Sequence, residues 1–240
     1  MSEVLDNSRA GKRTVMERRK SYLSRERMER IRGQLYGLNL EYFHFGCQSE
    51  GTTIPGLKSD IDFLFSSNNE NIMIVWEDWE AGMRNFLMLH DDITPPQQFL
   101  LQVIKEDTPE PVRSLCNDAN VMKYSGEVLL SAERFKQENA HYATEFGEAT
   151  KNGPSVSFIY NWDMVHAFHV LKPLPEIQYW IDRCKSRQWP PAKLLAAARV
   201  APCFLVPAGH RDRDYKREEW RLSHNLIERM LMFSFNMTQI

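Results

Sequence analysis

Two aspartates inside an apolar run constrain this chain more than any other feature. The stretch Ser59-Asp60-Ile61-Asp62-Phe63-Leu64-Phe65 alternates acid with hydrophobe and then turns apolar, the pattern of a β-strand. Successive side chains of a strand point to opposite faces, so Asp60 and Asp62 project together while Ile61 and Phe63 face the other way. Paired carboxylates repel and raise each other's pKa unless a cation sits between them. A hard divalent cation, above all Mg²⁺ shared with substrate phosphates, relieves that repulsion. Two surface aspartates on an edge strand are the competing reading. Upstream, Gly46-Cys47-Gln48-Ser49-Glu50-Gly51 reads as a small-residue turn, joined to the strand by a loop from Thr52 to Lys58. Exposed backbone N–H groups of such a turn can hold phosphate oxygens, which favours the metal over the bare surface pair.

The rest of the chain sets the frame. Its 240 residues suffice for one large domain or two small ones, and 13 Phe, 8 Tyr and 6 Trp supply a core. A formal net charge of −2 argues against bulk attraction to nucleic acid or to a membrane. The charge is uneven, however. Between Gly11 and Leu35 nine Lys/Arg face three acids, leaving the remainder net acidic. Residues 1–10 read as a disordered tail and residues 11–38 as a long basic helix, with Val15, Tyr22, Met28, Ile31 and Leu35 as an imperfect apolar stripe. Residues 39–240 form the core of the protein. The basic helix is either a solvated surface helix or a face that neutralises nucleic-acid phosphates; Arg18, Arg19, Lys20, Arg25 and Arg27 are the candidate contacts. Cys47, Cys116, Cys184 and Cys203 are scattered, and neither a signal peptide nor a long apolar run is present. These features point to a reduced, soluble, cytoplasmic protein without membrane contact. Cys203 and His210 are too few ligands for structural zinc.

Further elements follow from local pattern. Strands are expected over 39–47, 59–66, Ile72–Trp76, Arg84–His90 and Phe99–Glu106. A helix is expected over Gly126–Glu145, with Val128, Leu129, Ala132, Phe135, Ala143 and Phe146 inward. Ser155–Leu171 reads as strand, bend near Asn161, and second strand. Asp163 stands in that apolar stretch, a costly place for an acid unless it is paired or binds metal; taken alone, such a residue is more often a turn residue after Asn161 than a ligand. Helices are expected from Pro175 through Cys184 and over Lys193–Val200, then a strand over Pro202–Pro207, a charged loop at His210–Lys216, and a helix over Glu218–Phe235.

Three blocks carry a resemblance. Gly46–Gly51 with Asp60-Ile61-Asp62, then Gly153-Pro154-Ser155-Val156 through Asp163-Met164-Val165, then Glu219-Trp220-Arg221-Leu222-Ser223 with Glu228-Arg229, stand in the order seen in the nucleotidyltransferase superfamily. More narrowly the chain resembles the Mab-twenty-one proteins and the cyclic GMP-AMP synthase-like receptors of animals. The resemblance implies an α+β fold, a twisted mixed sheet with packed helices. It implies Asp60, Asp62 and Asp163 as catalytic ligands of Mg²⁺ (or Mn²⁺). Gly46, Cys47, Gln48 and Ser49 would cradle a triphosphate, while Arg221 and Ser223 would reach the nucleotide from a helix. The implied reaction joins ATP and GTP into a cyclic dinucleotide by attack of a ribose hydroxyl on an α-phosphate, after double-stranded RNA or DNA binds the basic helix.

Two departures accompany it. Cys47 replaces the usual serine, and a thiol is the weaker hydrogen-bond donor. The family's second helical lobe would follow Ile240, so it is expected to be absent or truncated. A catalytically inactive binding or developmental protein on the same scaffold is therefore the alternative expectation.

Overall fold

The order of strands in one large sheet decides where the carboxylates end up. The computed structural model describes residues 11–51, 60–90, 94–144, 150–157, 162–184, 189–209 and 217–234. Helix α1 (Lys12–Leu35) leads into β1 (Leu40–Phe45), a short helix α2 (Gly46–Glu50), β2 (Ile61–Ser67), β3 (Glu70–Met73), β4 (Arg84–Leu89) and β5 (Gln98–Ile104). There follow β6 (Asn120–Met122), β7 (Val128–Leu130), α3 (Ala132–Thr144), β8 (Thr150–Asn152), β9 (Ser155–Ser157) and β10 (Trp162–Val170). The last elements are α4 (Pro175–Cys184), α5 (Ala192–Val200), β11 (Cys203–Val206), β12 (Trp220–Ser223) and α6 (Asn225–Ser234).

Among the described residues twelve strands make one mixed sheet, ordered β1-β2-β10-β11-β12-β5-β4-β3, with β7 attached to β5 and β9 to β10. The β2–β10 and β3–β4 pairs are parallel, and the other pairs are antiparallel. Sheet twist curls this surface enough for β3 to pack against β10. The fold is therefore α+β with a curled mixed sheet.

The core lies inside the curl. Phe86, Phe99, Leu101, Phe168, Leu205 and Trp220 come from five strands, and Phe135, Ile177, Ile181, Leu195 and Ile227 come from the helices packed on them. Trp220 is fully buried, lies against the Phe135 and Phe168 rings, and donates from Nε1 to the Leu130 carbonyl (3.0 Å). Its one polar group thus keeps a partner in the apolar interior.

Three expectations change. Val128–Leu130 is strand β7 paired with β5 and β6, and the helix begins only at Ala132. Val128, Leu129, Ala132 and Phe135 are buried as expected, but the first two reach the core from a strand. Likewise Trp220-Arg221-Leu222-Ser223 is strand β12 between β11 and β5, with helix α6 starting at Asn225. In both segments, cross-strand hydrogen bonds outweigh a helical pattern that a short apolar run also satisfies. Finally, Gly46–Glu50 coils into α2 where a strand end and an open turn were expected. Gly51, at φ +74°, ends it in the left-handed conformation that glycine adopts without strain.

Helix α1 forms as expected and docks the unexpected way round. Its buried residues are Val15, Arg19, Glu26 and Gly33, while Met28, Ile31 and Leu35 of the anticipated stripe are exposed. The tail 1–10, the 52–58 loop, the bend at Asn161, Phe146 and the 210–216 loop lie outside the described residues.

Candidate functional site

Asp62 and Asp163 meet across the β2–β10 pair. These two strands run parallel with Asp62 and Asp163 as register partners, while on its other side Asp62 is paired with Phe45 at the end of β1. Alternation behaves as expected on β2: Phe63 turns to the opposite face and packs on His44 and Trp162. Asp60 stands just before β2 and is exposed.

The glycine turn touches the pair through one position. Gly46 has φ +79°, and a Cβ built there would lie 2.2 Å from the Asp62 Oδ2. The Asp62 carboxylate therefore occupies the space that any other residue's side chain would take. Ser157 Oγ donates a short hydrogen bond to Asp163 Oδ1, orienting the second carboxylate.

A cavity of about 390 Å³ opens over the pair, lined by Asp62, Asp163, Phe45, Ser155, Arg221, Ser223 and Asn225 among others. Arg221 and Ser223, expected on a helix, reach it from β12. Arg221 is exposed, and Ser223 Oγ donates to Asn225 Oδ1 (2.6 Å). A larger cavity of about 690 Å³ adjoins at Gly153, with Arg134, Lys136 and Arg217 on its walls. Its two acids do not form a comparable pair, because Glu133 is bridged to Lys136 (3.1 Å).

The electrostatics carry the mark of unrelieved repulsion. Burial pushes the Asp62 carboxyl above the usual carboxylate range, and Asp163 and then Asp60 push it further. Glu50 is also raised, by burial first and then by Glu228 and Asp62, against the opposing pull of Arg19 and Arg229. Acid thus accumulates around Asp62 without a protein cation in direct contact with it among the interactions described.

That donor set fits a divalent cation of the Mg²⁺ type. Among the described residues no three His, Cys, Asp or Glu side chains gather closely enough to form an all-protein cage. Mg²⁺ is commonly held by one or two carboxylates plus waters and substrate phosphates, and two adjacent carboxylates are what Asp62 and Asp163 offer.

The remaining candidates separate. Cys47 is exposed and Gln48 half-buried; neither lines the cavity. Ser49 is buried, and its hydroxyl donates to the Gly46 carbonyl (3.1 Å). On α1, Lys20 and Arg27 are exposed, and Arg18 is half-buried. The Arg25 guanidinium covers the Trp162 ring, 4.6 Å from its centroid. Arg19 departs from the nucleic-acid expectation: it is buried and spends its donors on three backbone carbonyls. The side chain is long enough to be drawn inward wherever unpaired carbonyls await it. No spacing rule flagged Ser157, Asn225 or Glu50, because their roles depend on which strands become neighbours.

Compared with known proteins, the chain matches no protein-family model and no curated relative. Among the described residues no helix is long and apolar enough to cross a membrane.

Proposed function

We propose that this protein is a Mg²⁺- or Mn²⁺-dependent nucleotidyltransferase of the kind the Mab-twenty-one and cyclic GMP-AMP synthase-like resemblance implies, acting on ATP and GTP. One observation carries the reading: Asp62 and Asp163 stand side by side on adjacent parallel strands, under a cavity that Arg221 and Ser223 also line.

In this reading Asp62 and Asp163, with Asp60 beside them, hold the metal. When bound, the metal supplies Lewis-acid stabilisation of phosphoryl oxygens and makes an attacking ribose hydroxyl more acidic. Ser157 holds the Asp163 carboxylate in place by a short hydrogen bond. Backbone N–H groups of the turn after Gly46 donate to triphosphate oxygens. The Arg221 guanidinium neutralises charge on the nucleotide from the far wall. The outward cations Lys20 and Arg27 meet the phosphates of a double-stranded activator.

A second reading, a catalytically silent binding protein, is favoured by the turn itself. Cys47 brings a weak donor to the place of a serine, and the Ser49 hydroxyl is committed to Gly46. Incubation with Mg²⁺, labelled ATP and GTP, and double-stranded RNA or DNA separates the two. A nucleotide product that disappears in Asp62→Ala supports the enzyme. Retained nucleic-acid binding with no product under any activator favours the silent protein.

A further inference from the structure

Helix α1 buries two charged residues, Arg19 and Glu26, while several of its apolar residues stay exposed. Arg19 and Glu26 are 6% and 5% exposed, whereas Met16, Leu23, Ile31 and Leu35 are between 43% and 81% exposed. Burying a charge is costly unless it is paired and fully hydrogen-bonded. Arg19 is held by three backbone carbonyls and Glu26 by Arg229 and a backbone N–H, and these partners include both ends of the Gly46–Glu50 segment.

At the exit, Arg19 Nε donates to the Glu50 carbonyl (2.8 Å), the last residue of α2. Its Nη1 and Nη2 donate to the Phe233 (3.3 Å) and Met232 (3.1 Å) carbonyls in the last turn of α6. One guanidinium therefore caps two helix C-termini, whose final carbonyls have no partner within their own helices and carry the negative end of the helix dipole. The Phe233 ring lies under the same guanidinium at 4.6 Å.

At the entrance, Glu26 Oε1 accepts from the His44 backbone N–H (2.6 Å) and from Arg229 Nη1. Arg229 Nη1 also donates to the His44 carbonyl (3.1 Å). His44 is two residues before Gly46. Val15, on the same helix, packs so closely on Gly51 that a Cβ there would lie 2.9 Å from its Cγ1.

We infer that Arg19 and Glu26 are positioning residues that hold the Gly46–Glu50 turn in register with Asp62. Neither lines the cavity; they act through the backbone of the turn. Because Gly46 and the Asp62 carboxylate already share one space, a small drift of the turn either strikes that carboxylate or opens the phosphate cradle. The inference rests on the proposed nucleotidyltransferase reading, which assigns the turn to phosphate.

The test uses two probes on wild type, Arg19→Lys and Glu26→Gln: Mn²⁺ alone, with the free ion followed by electron paramagnetic resonance, and the Mn²⁺–tripolyphosphate complex, with protein-bound phosphate measured by equilibrium dialysis. Lysine keeps the charge but lacks the planar fork that spans three carbonyls; glutamine keeps the acceptor for His44 but loses the charge that Arg229 faces. Each variant is expected to weaken tripolyphosphate uptake about tenfold, the scale of one lost charge-assisted hydrogen bond, while Mn²⁺ alone changes less than about twofold on the same scale. Amide exchange at residues 46–51 should speed up in both variants, with β2 and β10 unchanged. Wild-type tripolyphosphate affinity in both variants overturns the positioning role, and so does parallel loss of both probes, which marks general loosening. A wild-type protein that binds neither probe sinks the nucleotidyltransferase reading itself, whatever the exchange at the turn.

Discussion

Asp62 and Asp163 are register partners on adjacent parallel strands, about a hundred residues apart in sequence and neighbours in the sheet. Without a counter-charge between them, burial first and then Asp163 and Asp60 raise the Asp62 carboxyl above its usual range. The fold tolerates that shift at the floor of a cavity, which is where a carboxylate pair becomes useful.

Asp62→Asn should therefore stabilise the metal-free protein at neutral pH. The native Asp62 carboxyl is raised above its usual range by burial, Asp163 and Asp60, so the folded state holds the proton more tightly than the unfolded one. Stability is lost as pH rises through the unfolded carboxylate range and past the raised native value. The residue as a whole stays open to solvent although its carboxyl packs beside Gly46, so screening keeps the effect below about 1 kcal/mol, a rise in Tm of about 1–3 °C at pH 7 that vanishes near pH 3. Added Mn²⁺ should raise the Tm of the wild type and not of the variant. A variant less stable than wild type at pH 7 would contradict the repulsion.

Gly46→Ala should damage the site and the fold together. The new methyl group must enter the space of the Asp62 carboxylate at a positive φ, for a combined cost of about 1–3 kcal/mol. Urea unfolding gives the cost, and Mn²⁺ binding reports the displaced carboxylate. Gly126, also at positive φ but with open space around it, is the control: alanine there pays for the backbone alone.

Trp220→Phe and Trp220→Ala should differ in a graded way. The indole is fully buried between Phe135 and Phe168 and donates to Leu130. Phenylalanine leaves that carbonyl without its donor and opens a small void, at about 1–3 kcal/mol. Alanine empties the centre of the curl at about 3–5 kcal/mol. Equal losses in chemical denaturation would mean that the core collapses onto the gap.

Acid should unfold the protein partly through three histidines, His44 buried and His166 and His169 half-buried. Burial lowers His44, His166 and His169 to about 4 each, with Arg25 and Arg229, Arg84, and Arg30 respectively adding to the shift. A native pKa below the unfolded value of about 6.5 means stability that is present above pH 6.5 and lost as pH falls toward 4. Urea midpoints measured between pH 7 and pH 4 should fall, and His166→Phe should flatten the slope. A flat profile in wild type would refute the burial of these rings as neutral groups.

Several parts of this arrangement were legible in the chain. The acid–hydrophobe alternation of Asp60 to Phe65 identified a strand and the face on which Asp62 projects, and Asp163 stood out as an acid in an apolar run. Helix α1 followed from the basic run and its imperfect apolar stripe. These are local consequences of backbone geometry and side-chain period, so neighbouring residues suffice to state them. Val128–Leu130 and Trp220–Ser223 escaped because a short apolar run suits helix or strand equally, and the choice falls to the strands that pair with it.

What the sequence by itself determined was the set of pieces: a short segment bounded by two glycines, three carboxylates, a basic helix and enough aromatic surface for a core. Only the tertiary structure decided that Asp62 lies beside Asp163, that Arg221 arrives on a strand, and that α1 buries Arg19 and Glu26 while Leu35 faces solvent. The physical reason is that a buried charge is favourable only where partners wait for it. Those partners, the carbonyls of Glu50, Met232 and Phe233 and the guanidinium of Arg229, come from distant segments.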